Sequence, residues 1–432
     1  MRRLLPVLAL AAFAAPAPAL AEPETWLLAV DRWGNPEYAE ARIDSAGEVL
    51  TGTLGGDPIT GRREGSRLDF SVTDSDGDVR RFNLSVDGDR LTGSADYPGT
   101  SDGAARVAHG LSGLRLAMPE DGPPRRVTFE PTRFSNEFTA HLEPALVIRP
   151  GDVIATRTLD SGGVDADGVT RALYGNPQTG PFYVAGASPG DVLAVHIRRL
   201  ALNRDWADSL DGLVTRATVP GLAALMTGTG RRVRWRLDRE AGTARLEDPP
   251  EGLKDFVVPV RPMLGGIGVA PDFGFAPFSA GDTGRFGGNI DFNGGVEGAA
   301  VFLPGSQPGA MLFVGDGHAL QGDGETTQWA LETSLDVEFS VEVLPGRPMA
   351  GPRVEDAARI TTIGQAGSLD GAVKLASLGM LQWLAQDRGL SLAEGSLVLG
   401  AAAQYRVVTL AGRNAGIALT LDKAALATVP RR

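Results

Sequence analysis

The stretch from Gly287 to Glu332 limits the possible folds of this chain most. Short apolar segments alternate there with turns made of glycine and acidic residues. Its first turn holds Asn289 and Asp291 among glycines. Its second turn reads Gly-Asp-Gly-His and is followed closely by Gly-Asp-Gly-Glu. Glycine lets a backbone approach a bound group and adopt positive φ. The stretch therefore predicts short strands joined by tight, polar turns.

The polar residues of this stretch support two interpretations. Carboxylates packed closely repel one another unless they share a cation or a proton, so the cluster indicates a metal-binding or acid–base site. Asp-Gly is also a common turn dipeptide, and Asp316 and Asp323 both precede glycine. His318 and Glu325 favour the site, since an Asp-Gly turn needs neither of them. The chain has only four histidines in all.

Length and composition limit the classes of protein to which this chain can belong. With 432 residues the chain is long enough for two or three domains. Its 57 glycines and 29 prolines indicate many turns and short elements, as in β-rich folds. A net charge of −12 argues against a nucleic-acid partner, whose phosphates need a basic face. The absence of cysteine excludes disulfides and a cysteine nucleophile.

Residues 1–21 are predicted to be a signal peptide. Two arginines precede an apolar run, and an Ala-Leu-Ala sequence ends at Ala21. We expect cleavage before Glu22. The mature protein is therefore expected to be periplasmic or secreted. No later stretch of about 20 apolar residues occurs, so no membrane span is expected after cleavage.

Residues 22–118 are predicted to form a small all-β module. Segments of alternating apolar and polar residues, such as 67–72 and 81–86, are separated by turn signals that include Asp76-Gly77. This pattern fits an up-and-down barrel or a small sandwich. No convergent polar group requires a ligand there, so a structural or docking role is expected. The proline-rich segment 119–131 predicts a linker.

Residues 132–432 are predicted to form the second domain, mainly β with an α+β part. Pro-Gly-Asp turns at 150–152 and 189–191 each lead into an apolar strand, as in a β-sandwich. The first of these strands delivers Asp160 into an acidic, glycine-rich loop that also holds Asp165. Helical spacing from Leu369 to Gln386 and a capping box at Ser391 predict two helices, which would cover one face of the β core.

Several motifs occur in order over roughly residues 132–430. They are Pro150–Asp152 with Thr158–Asp160, Asn176–Val184, Gly186–Asp191, Arg261–Gly268, Gly287–Asp291 and Gly315–Glu325. Together they resemble the acetamidase/formamidase family. The resemblance implies a jelly-roll-like sandwich with an α/β part, and hydrolysis of short amides such as formamide or acetamide to a carboxylate and ammonia. It also implies a divalent metal, zinc or calcium, and is compatible with a homo-oligomer.

The polar positions that carry over from the family are Asp160, Asn289, Asp291, Asp316, His318, Asp323 and Glu325. The chain has no cysteine and no Gly-x-Ser-x-Gly elbow, so activated water is the simplest nucleophile.

We expect the metal ligands to be Asp160, Asp291, Asp316 and His318, with Asp165 in reserve. One imidazole among carboxylates favours zinc, although calcium stays open.

The catalytic roles expected from the sequence fall on three residues. Glu325 is the general base and then the general acid. Asn289, or the backbone of the Gly287-Gly288 turn, holds the oxyanion. Asp323 orients a ligand or Glu325.

Three functions remain open at this point. The first is a metal-assisted amidase for short amides. The second is a hydrolase of a larger periplasmic amide or related C–N bond on the same scaffold, since a fold does not fix a substrate. The third is a catalytically silent binding protein in which residues 22–118 do the binding. The predicted signal peptide, the extra module and the acidic loop 161–175 depart from the plainest family pattern and leave the substrate open.

Overall fold

A computed structural model describes residues 23–101 and 103–431, so the predicted signal peptide lies outside the described residues. The chain divides into two compact units. The first extends to Val30 and resumes over Glu40–Leu116, and the second comprises Asp31–Ala39 and the chain from Ala117 onward. Within the described residues, no helix is both long enough and apolar enough to span a membrane.

The first unit contains a closed antiparallel barrel of eight strands, each paired with its neighbour in sequence and the last with the first. The strands are β1 (Glu24–Arg32), β2 (Asn35–Ala46), β3 (Val49–Leu54), β4 (Asp57–Glu64), β5 (Arg67–Thr73), β6 (Val79–Asp87), β7 (Arg90–Pro98) and β8 (Arg106–Arg115). In β5, Leu68, Phe70 and Val72 point inward, and polar residues between them point outward. Phe70 stacks on Phe82 of β6 with ring centroids 4.7 Å apart. The predicted all-β barrel is confirmed.

The second unit contains the remaining strands and all of the α-helices in the described chain. In chain order they are β9 (Arg126–Thr128), β10 (Phe134–Ser135), β11 (Glu137–Phe138), β12 (Leu146–Ile148), β13 (Val153–Arg157), β14 (Gln178–Val184), β15 (Val192–Leu202), β16 (Trp206–Leu210), α1 (Pro220–Leu225), β17 (Arg232–Asp238), β18 (Thr243–Leu246), β19 (Val257–Pro259), β20 (Met263–Gly268), β21 (Phe278–Ser279), β22 (Thr283–Gly284), β23 (Gly287–Asn289), β24 (Ala300–Pro304), β25 (Leu312–His318), β26 (Leu335–Leu344), β27 (Arg353–Glu355), β28 (Arg359–Ala366), α2 (Leu369–Arg388), α3 (Leu392–Ala402), β29 (Gln404–Val407) and β30 (Ala415–Asp422). Short 3₁₀ turns occur at Thr215–Ala217, Glu251–Leu253 and Lys423–Leu426.

Two large sheets form the core of this unit. One has the strand order β29-β30-β28-β27-β24-β15-β26-β13-β9, and the other has the order β10-β14-β25-β20-β23-β22 with β12 beside β14. Phe182 on β14 packs edge to face on Phe339 of β26 at 5.2 Å, so the sheets share an apolar layer as in a sandwich. Every residue of β14 and β25 is buried. Polar side chains on these two strands are therefore cut off from solvent.

Part of the segment predicted to be a linker is instead a strand. Residues 126–128 form β9, which pairs in parallel with β13 at the edge of the nine-stranded sheet. The adjacent Arg125 donates to Asp152 through its backbone N–H at 2.8 Å and through its guanidinium. The prolines and charged residues of 119–131 predicted a linker without fixed contacts. The buried carboxylate of Asp152 instead holds Arg125, within this segment, beside the sheet.

The C-terminal part packs as the sequence predicts. The Ser368 side chain accepts from the N–H of Gly371 at the start of α2, and Gly389 ends that helix at φ 62°. Ser391 and Glu394 form the capping box that begins α3. Helix α2 lies so close to β28 that a Cβ on Gly364 would come within 2.0 Å of a helix carbonyl oxygen. Two helices thus cover one face of the β core.

Candidate active site

Four carboxylates and one histidine meet at the end of β25. Asp316 and His318 lie on that strand, Asp291 follows β23, and Glu325 and Glu332 lie between β25 and β26. All five residues are buried, with at most 6% of any of them exposed. Pairing of β20 with both β23 and β25 places the two polar turns of the sequence side by side.

His318 is the centre of this cluster. Its Nε2 lies 3.5 Å from Asp316 Oδ1 and 3.4 Å from Glu332 Oε1. Two groups share it, Asp291 with Glu325 and Asp316 with Glu332. In each group one ligand atom from every residue lies within 4.8 Å of the others. Four buried carboxylates at this separation cannot all be ionised without a neutralising cation.

Four buried atoms of the cluster have no hydrogen-bond partner: Asp291 Oδ1, Asp316 Oδ1, His318 Nε2 and Glu332 Oε2. A buried polar atom without a partner costs free energy, so such atoms are rare in folded proteins. Here they occur together and combine three carboxylate oxygens with one imidazole nitrogen. Zinc and similar divalent ions prefer such a ligand set. The residues present therefore fit a divalent metal.

The electrostatics of the cluster agree with this fit. Burial raises the pKa of Asp291 well above its ordinary value, and the charges of Glu325 and Asp316 raise it further. Burial raises the pKa of Glu325 to about 8, although His318 opposes the shift. Burial also raises the pKa of Glu332. Without a cation, these shifts favour the protonated form of the carboxyls.

The pKa of His318 is also raised, but by neighbouring charges and against the effect of burial. Burial lowers the pKa of His318, but the carboxylates of Glu332 and Asp316 outweigh burial and raise it well above the ordinary value. A positive charge at the Nε2 position is therefore stabilised by its surroundings, whether that charge is a proton or a metal ion.

Gln321 fixes the orientation of the His318 ring. Its side-chain N–H₂ group donates to the carbonyl oxygens of Asp291 at 2.5 Å and Val408 at 3.4 Å. Its Oε1 must then be the acceptor for His318 Nδ1, which lies 3.0 Å away. In the neutral ring the proton is on Nδ1, and the lone pair of Nε2 faces the carboxylates. Such a partner on the second ring nitrogen is typical of metal-binding histidines.

Two asparagines border the cluster. The Nδ2 of Asn176 donates to Asn289 Oδ1 at 2.7 Å and to Asp316 Oδ2 at 2.8 Å. The Nδ2 of Asn289 donates in turn to Asp291 Oδ2. Each amide nitrogen carries two hydrogens, so Asn289 retains one to donate to a bound molecule.

The backbone around the site is strained. Eight non-glycine residues of the described chain have positive φ. Five of them border the site: Asn176 (61°), Asp291 (49°), Asp316 (54°), Glu325 (43°) and Gln328 (72°). Such conformations cost about 1–3 kcal/mol each and concentrate at functional sites. The fold thus maintains strain where the polar side chains converge.

Gly265 on β20 leaves the space that the cluster occupies. A Cβ at this position would lie 2.7 Å from Asp291 Oδ1, 2.7 Å from Asp316 Oδ2 and 2.9 Å from His318 Cε1. Carbon and oxygen atoms that are not bonded do not approach this closely, so any larger residue would displace the site. The glycine therefore serves close packing rather than a turn.

A cavity of about 240 Å³ opens onto the cluster. Asp291, Glu325 and Glu332 line its inner part together with Asn289. Its outer residues come from three segments: Tyr174 to Asn176, Ser279 to Asp282, and Ala411 to Arg413. Ser161, Gln328 and Trp329 complete the lining. The cluster is thus reachable by a small molecule.

Two residues assigned to the site from the sequence lie outside the cluster. Asp160 was expected to bind the metal, but its Oδ2 accepts from Arg204 Nη2 at 2.6 Å and its Oδ1 from the N–H of Val164. Both side chains are buried, with 1% of Arg204 and 6% of Asp160 exposed. The positive charge that Asp160 needs is therefore an arginine.

Asp323 was expected to orient Glu325, yet it belongs to a surface ion pair. Its Oδ2 accepts from Arg406 Nε at 2.9 Å and its Oδ1 from Asn293 Nδ2 at 2.9 Å. About half of its side chain is exposed. Asp165, the reserve ligand, pairs with Arg171 at 2.7 Å on the surface. Neither aspartate contacts the cluster.

The sequence patterns did not identify four residues as part of the site: Glu332, Asn176, Gln321 and Thr409. Glu332 lies outside the glycine turns, and the signal for it was an acidic residue three positions before the strand β26. Thr409 Oγ1 donates to Glu325 Oε2 at 2.8 Å, although 84 residues separate the two. The C-terminal part therefore supplies polar groups to the site in addition to packing against the core.

The sequence model of the Acetamidase/Formamidase family matches residues 281–358, which contain the whole cluster. The comparison with curated proteins gave no match.

Solved structures give the longer match. A recombinant predicted acetamidase/formamidase from Thermoanaerobacter tengcongensis is 27% identical, with a TM-score of 0.61, over 71% of this chain and 99% of that one. Acetamidases from Bacillus halodurans and Yersinia enterocolitica, each 24% identical with a TM-score of 0.60, share the fold. They match 70% of this chain, and 99% and 93% of their own lengths.

Proposed function

This chain belongs to the acetamidase/formamidase family, and from that membership we propose that it is an exported hydrolase that cleaves primary amides to a carboxylate and ammonia. The observation that carries the proposal is the buried cluster of Asp291, Asp316, Glu325 and Glu332 around His318, with a cavity leading to it. Buried groups with shifted pKa values in a cavity are typical of catalytic sites.

The residues that would hold a divalent metal are Asp291, Asp316, His318 and Glu332. Each of them has a buried atom without a hydrogen-bond partner, and Gln321 directs the lone pair of His318 Nε2 towards the carboxylates of Asp316 and Glu332. Glu332 thus takes the place that the sequence suggested for Asp160. One imidazole among carboxylates favours zinc over calcium. When bound, such an ion lowers the pKa of a coordinated water towards 7 and polarises the amide carbonyl.

Glu325 is the proposed base and acid. Its Oε2 accepts from Thr409 while Oε1 remains available at the cavity. Glu325 takes a proton from the attacking water, whose oxygen bonds to the amide carbon. It then returns the proton to the amide nitrogen as the C–N bond breaks, so that ammonia and the carboxylic acid leave, and the acid loses its proton to water to become the carboxylate. This exchange typically contributes about 10²–10⁴-fold to the rate.

Asn289 is the proposed donor to the developing oxyanion. Its remaining amide hydrogen is free, while Asn176 and Asp291 hold the other groups of the side chain in place. A donor fixed before the reaction needs no reorganisation, and one such donor is typically worth about 3–4 kcal/mol of barrier. The backbone of the Gly287-Gly288 turn is an unsuitable alternative, because both residues are paired within the sheet.

A catalytically silent binding protein fits the site less well. A binding role does not require four buried carboxylates, three of them with an unpartnered oxygen, or a strained backbone, since each of these costs stability. A hydrolase of larger amides would use the same residues of the cluster and would differ only in the residues at the mouth of the cavity.

Ammonia release and metal content, measured on the same purified sample, test the proposal. We expect turnover of a primary amide by protein that contains about one divalent ion per chain, and a loss of about 10²–10⁴-fold in kcat for Glu325→Gln. Asp323→Asn is the matched control, because this neighbouring carboxylate lies in a surface ion pair and should be dispensable.

Unchanged turnover in Glu325→Gln would remove the proposed base. Full activity after thorough chelation, with no metal detected, would remove the metal role.

A further inference from the structure

Two aromatic side chains form one side of the cavity mouth. Tyr174 and Trp329 have ring centroids 6.1 Å apart with their planes tilted by 44°, and Trp329 Nε1 donates to the Tyr174 hydroxyl at 3.2 Å. Tyr174 is 63% exposed. Both residues line the same cavity as Glu325 and Asn289. A molecule that reaches the cluster therefore passes along an aromatic surface.

The size of the cavity exceeds what a very small amide needs. Its 240 Å³ equals the liquid volume of roughly eight water molecules. Formamide and acetamide would fill only the inner part beside Glu325 and leave the aromatic pair in water. An acyl group with a ring would extend from the cluster to that pair.

The charges at the mouth cancel. Arg413 and Asp282 are the charged side chains at the rim among the described lining residues, and Arg413 Nη1 donates to Asp282 Oδ2 at 2.8 Å. The remaining charged residues of the lining belong to the buried cluster. The rim therefore offers no uncompensated charge to a charged acyl group, which would lose hydration on entering.

We propose that the preferred substrates are uncharged primary amides of aromatic acids, such as benzamide, and that Trp329 and Tyr174 determine this specificity. The proposal rests on the proposed amidase function and adds the acyl group to it. A tilted aromatic pair can take a third ring in an edge-to-face or offset arrangement, which gains more than burial of area alone. An aliphatic chain would gain only burial.

The experiment compares kcat/KM for formamide, acetamide, hexanamide and benzamide in the wild type and four variants. We expect benzamide to exceed acetamide by about tenfold or more. Trp329→Ala should lower the benzamide-to-acetamide ratio by about 10–100-fold, mainly through KM, and Tyr174→Ala should lower it by a smaller factor. Trp329→Phe should restore most of the ratio, since it keeps a ring.

Leu173→Ala is the matched control. Leu173 belongs to the same loop as Tyr174 and is 78% exposed, but it does not line the cavity. The ratio should not change in this variant. Melting temperatures of all variants show whether each protein is folded.

Three outcomes overturn the proposal while leaving the amidase function intact: acetamide preferred over benzamide, hexanamide preferred over benzamide, or an equal loss for both amides in Trp329→Ala. The last result would mean that Trp329 supports the loop rather than selecting the substrate. Absence of ammonia from all four amides would overturn the proposed function and this proposal with it.

Discussion

Two buried acidic regions of the second unit differ in how their charge is neutralised. Asp160 receives a cation from the chain itself, because Arg204 lies 2.6 Å away and is equally buried. The cluster around His318 contains four carboxylates and no arginine or lysine, and several of its atoms have no partner. The difference teaches that a buried carboxylate indicates a site only when its compensating charge is missing from the fold.

Arg204 also shows how complete the compensation is in the first region. In addition to Asp160, its guanidinium donates to Thr333 Oγ1 and to four backbone oxygens, those of Val164, Asp165, Trp206 and Glu332. The same group stacks on the Trp206 ring at 3.4 Å. The arginine thus satisfies Asp160 from within the fold, whereas several atoms of the His318 cluster have no such partner.

Removing the built-in cation should have the largest effect. Arg204→Met leaves Asp160 buried without a counter-charge, and breaking a buried pair in this way typically costs about 3–5 kcal/mol. We expect the free energy of unfolding in urea to fall by that amount. Arg157→Met is the control, because its pair with Asp336 is exposed. A loss as small as that of the control would mean that Asp160 is neutralised by a proton instead.

Disturbing the group that orients His318 should weaken metal binding without removing a ligand. Gln321→Met keeps the volume but loses the acceptor for His318 Nδ1. Partners of this kind typically contribute about 10–100-fold to metal affinity. Competition with a chromophoric chelator measures the change. Gln321→Glu retains an acceptor and should lose less affinity, and equal losses in both variants would contradict the orienting role.

The cluster should make the metal-free protein less stable as pH rises. Burial raises the pKa of Asp291, and that of Glu325 to about 8, so the folded protein holds protons that the unfolded chain releases near pH 4–5. The resulting stability is fully present below about pH 4 and is lost as pH rises through about 8. We expect Tm to fall by about 5 °C between pH 5 and pH 8.

A saturating divalent ion should remove this dependence, since it replaces the protons as the compensating charge. Chelator-treated and metal-loaded samples, melted side by side, make the comparison. A Tm that rises with pH in the metal-free sample would mean that the carboxyls are already ionised and compensated.

The smallest expected effect is a gain in stability. Asp291→Asn replaces a carboxyl whose charged form is disfavoured by burial with a neutral amide of the same shape, so the free energy of unfolding of the metal-free protein should rise by about 1 kcal/mol. The same change should abolish metal binding and turnover. Asp160→Asn is the comparison, and it should destabilise, since it leaves Arg204 buried without its partner. If both variants changed the free energy of unfolding in the same direction, the two regions would not differ in how their charge is compensated.

The sequence predicted much of this fold because the evidence for it is local. Alternation in β5 and β6, the capping box at Ser391 and the glycine after α2 each depend on neighbouring residues. The acetamidase/formamidase resemblance was carried by contiguous motifs as well. Closure of β1 on β8 joins distant segments, but a series of hairpins already favours it.

The site was predictable only in part, because its partners are distant in sequence. Asp291, Asp316, His318 and Glu325 were found in glycine-rich turns, which mark them locally. Arg204 lies 44 residues from Asp160, and no local pattern connects them. Glu332 lies outside every turn motif and reaches the cluster through its bridge to His318. The ion pair of Asp323 with Arg406 likewise depends on the folded arrangement.

Residues 408–413 come after every other residue of the site in the sequence, and they complete it. Val408 accepts from Gln321, Thr409 donates to Glu325, and Arg413 stands at the cavity mouth. Because synthesis runs from the N-terminus, the four carboxylates and His318 are made before the residues that hold them in position. A nascent or truncated chain that ends before Val408 would carry the cluster without these positioning groups, so we expect the arrangement of the site to form only after this segment has been made.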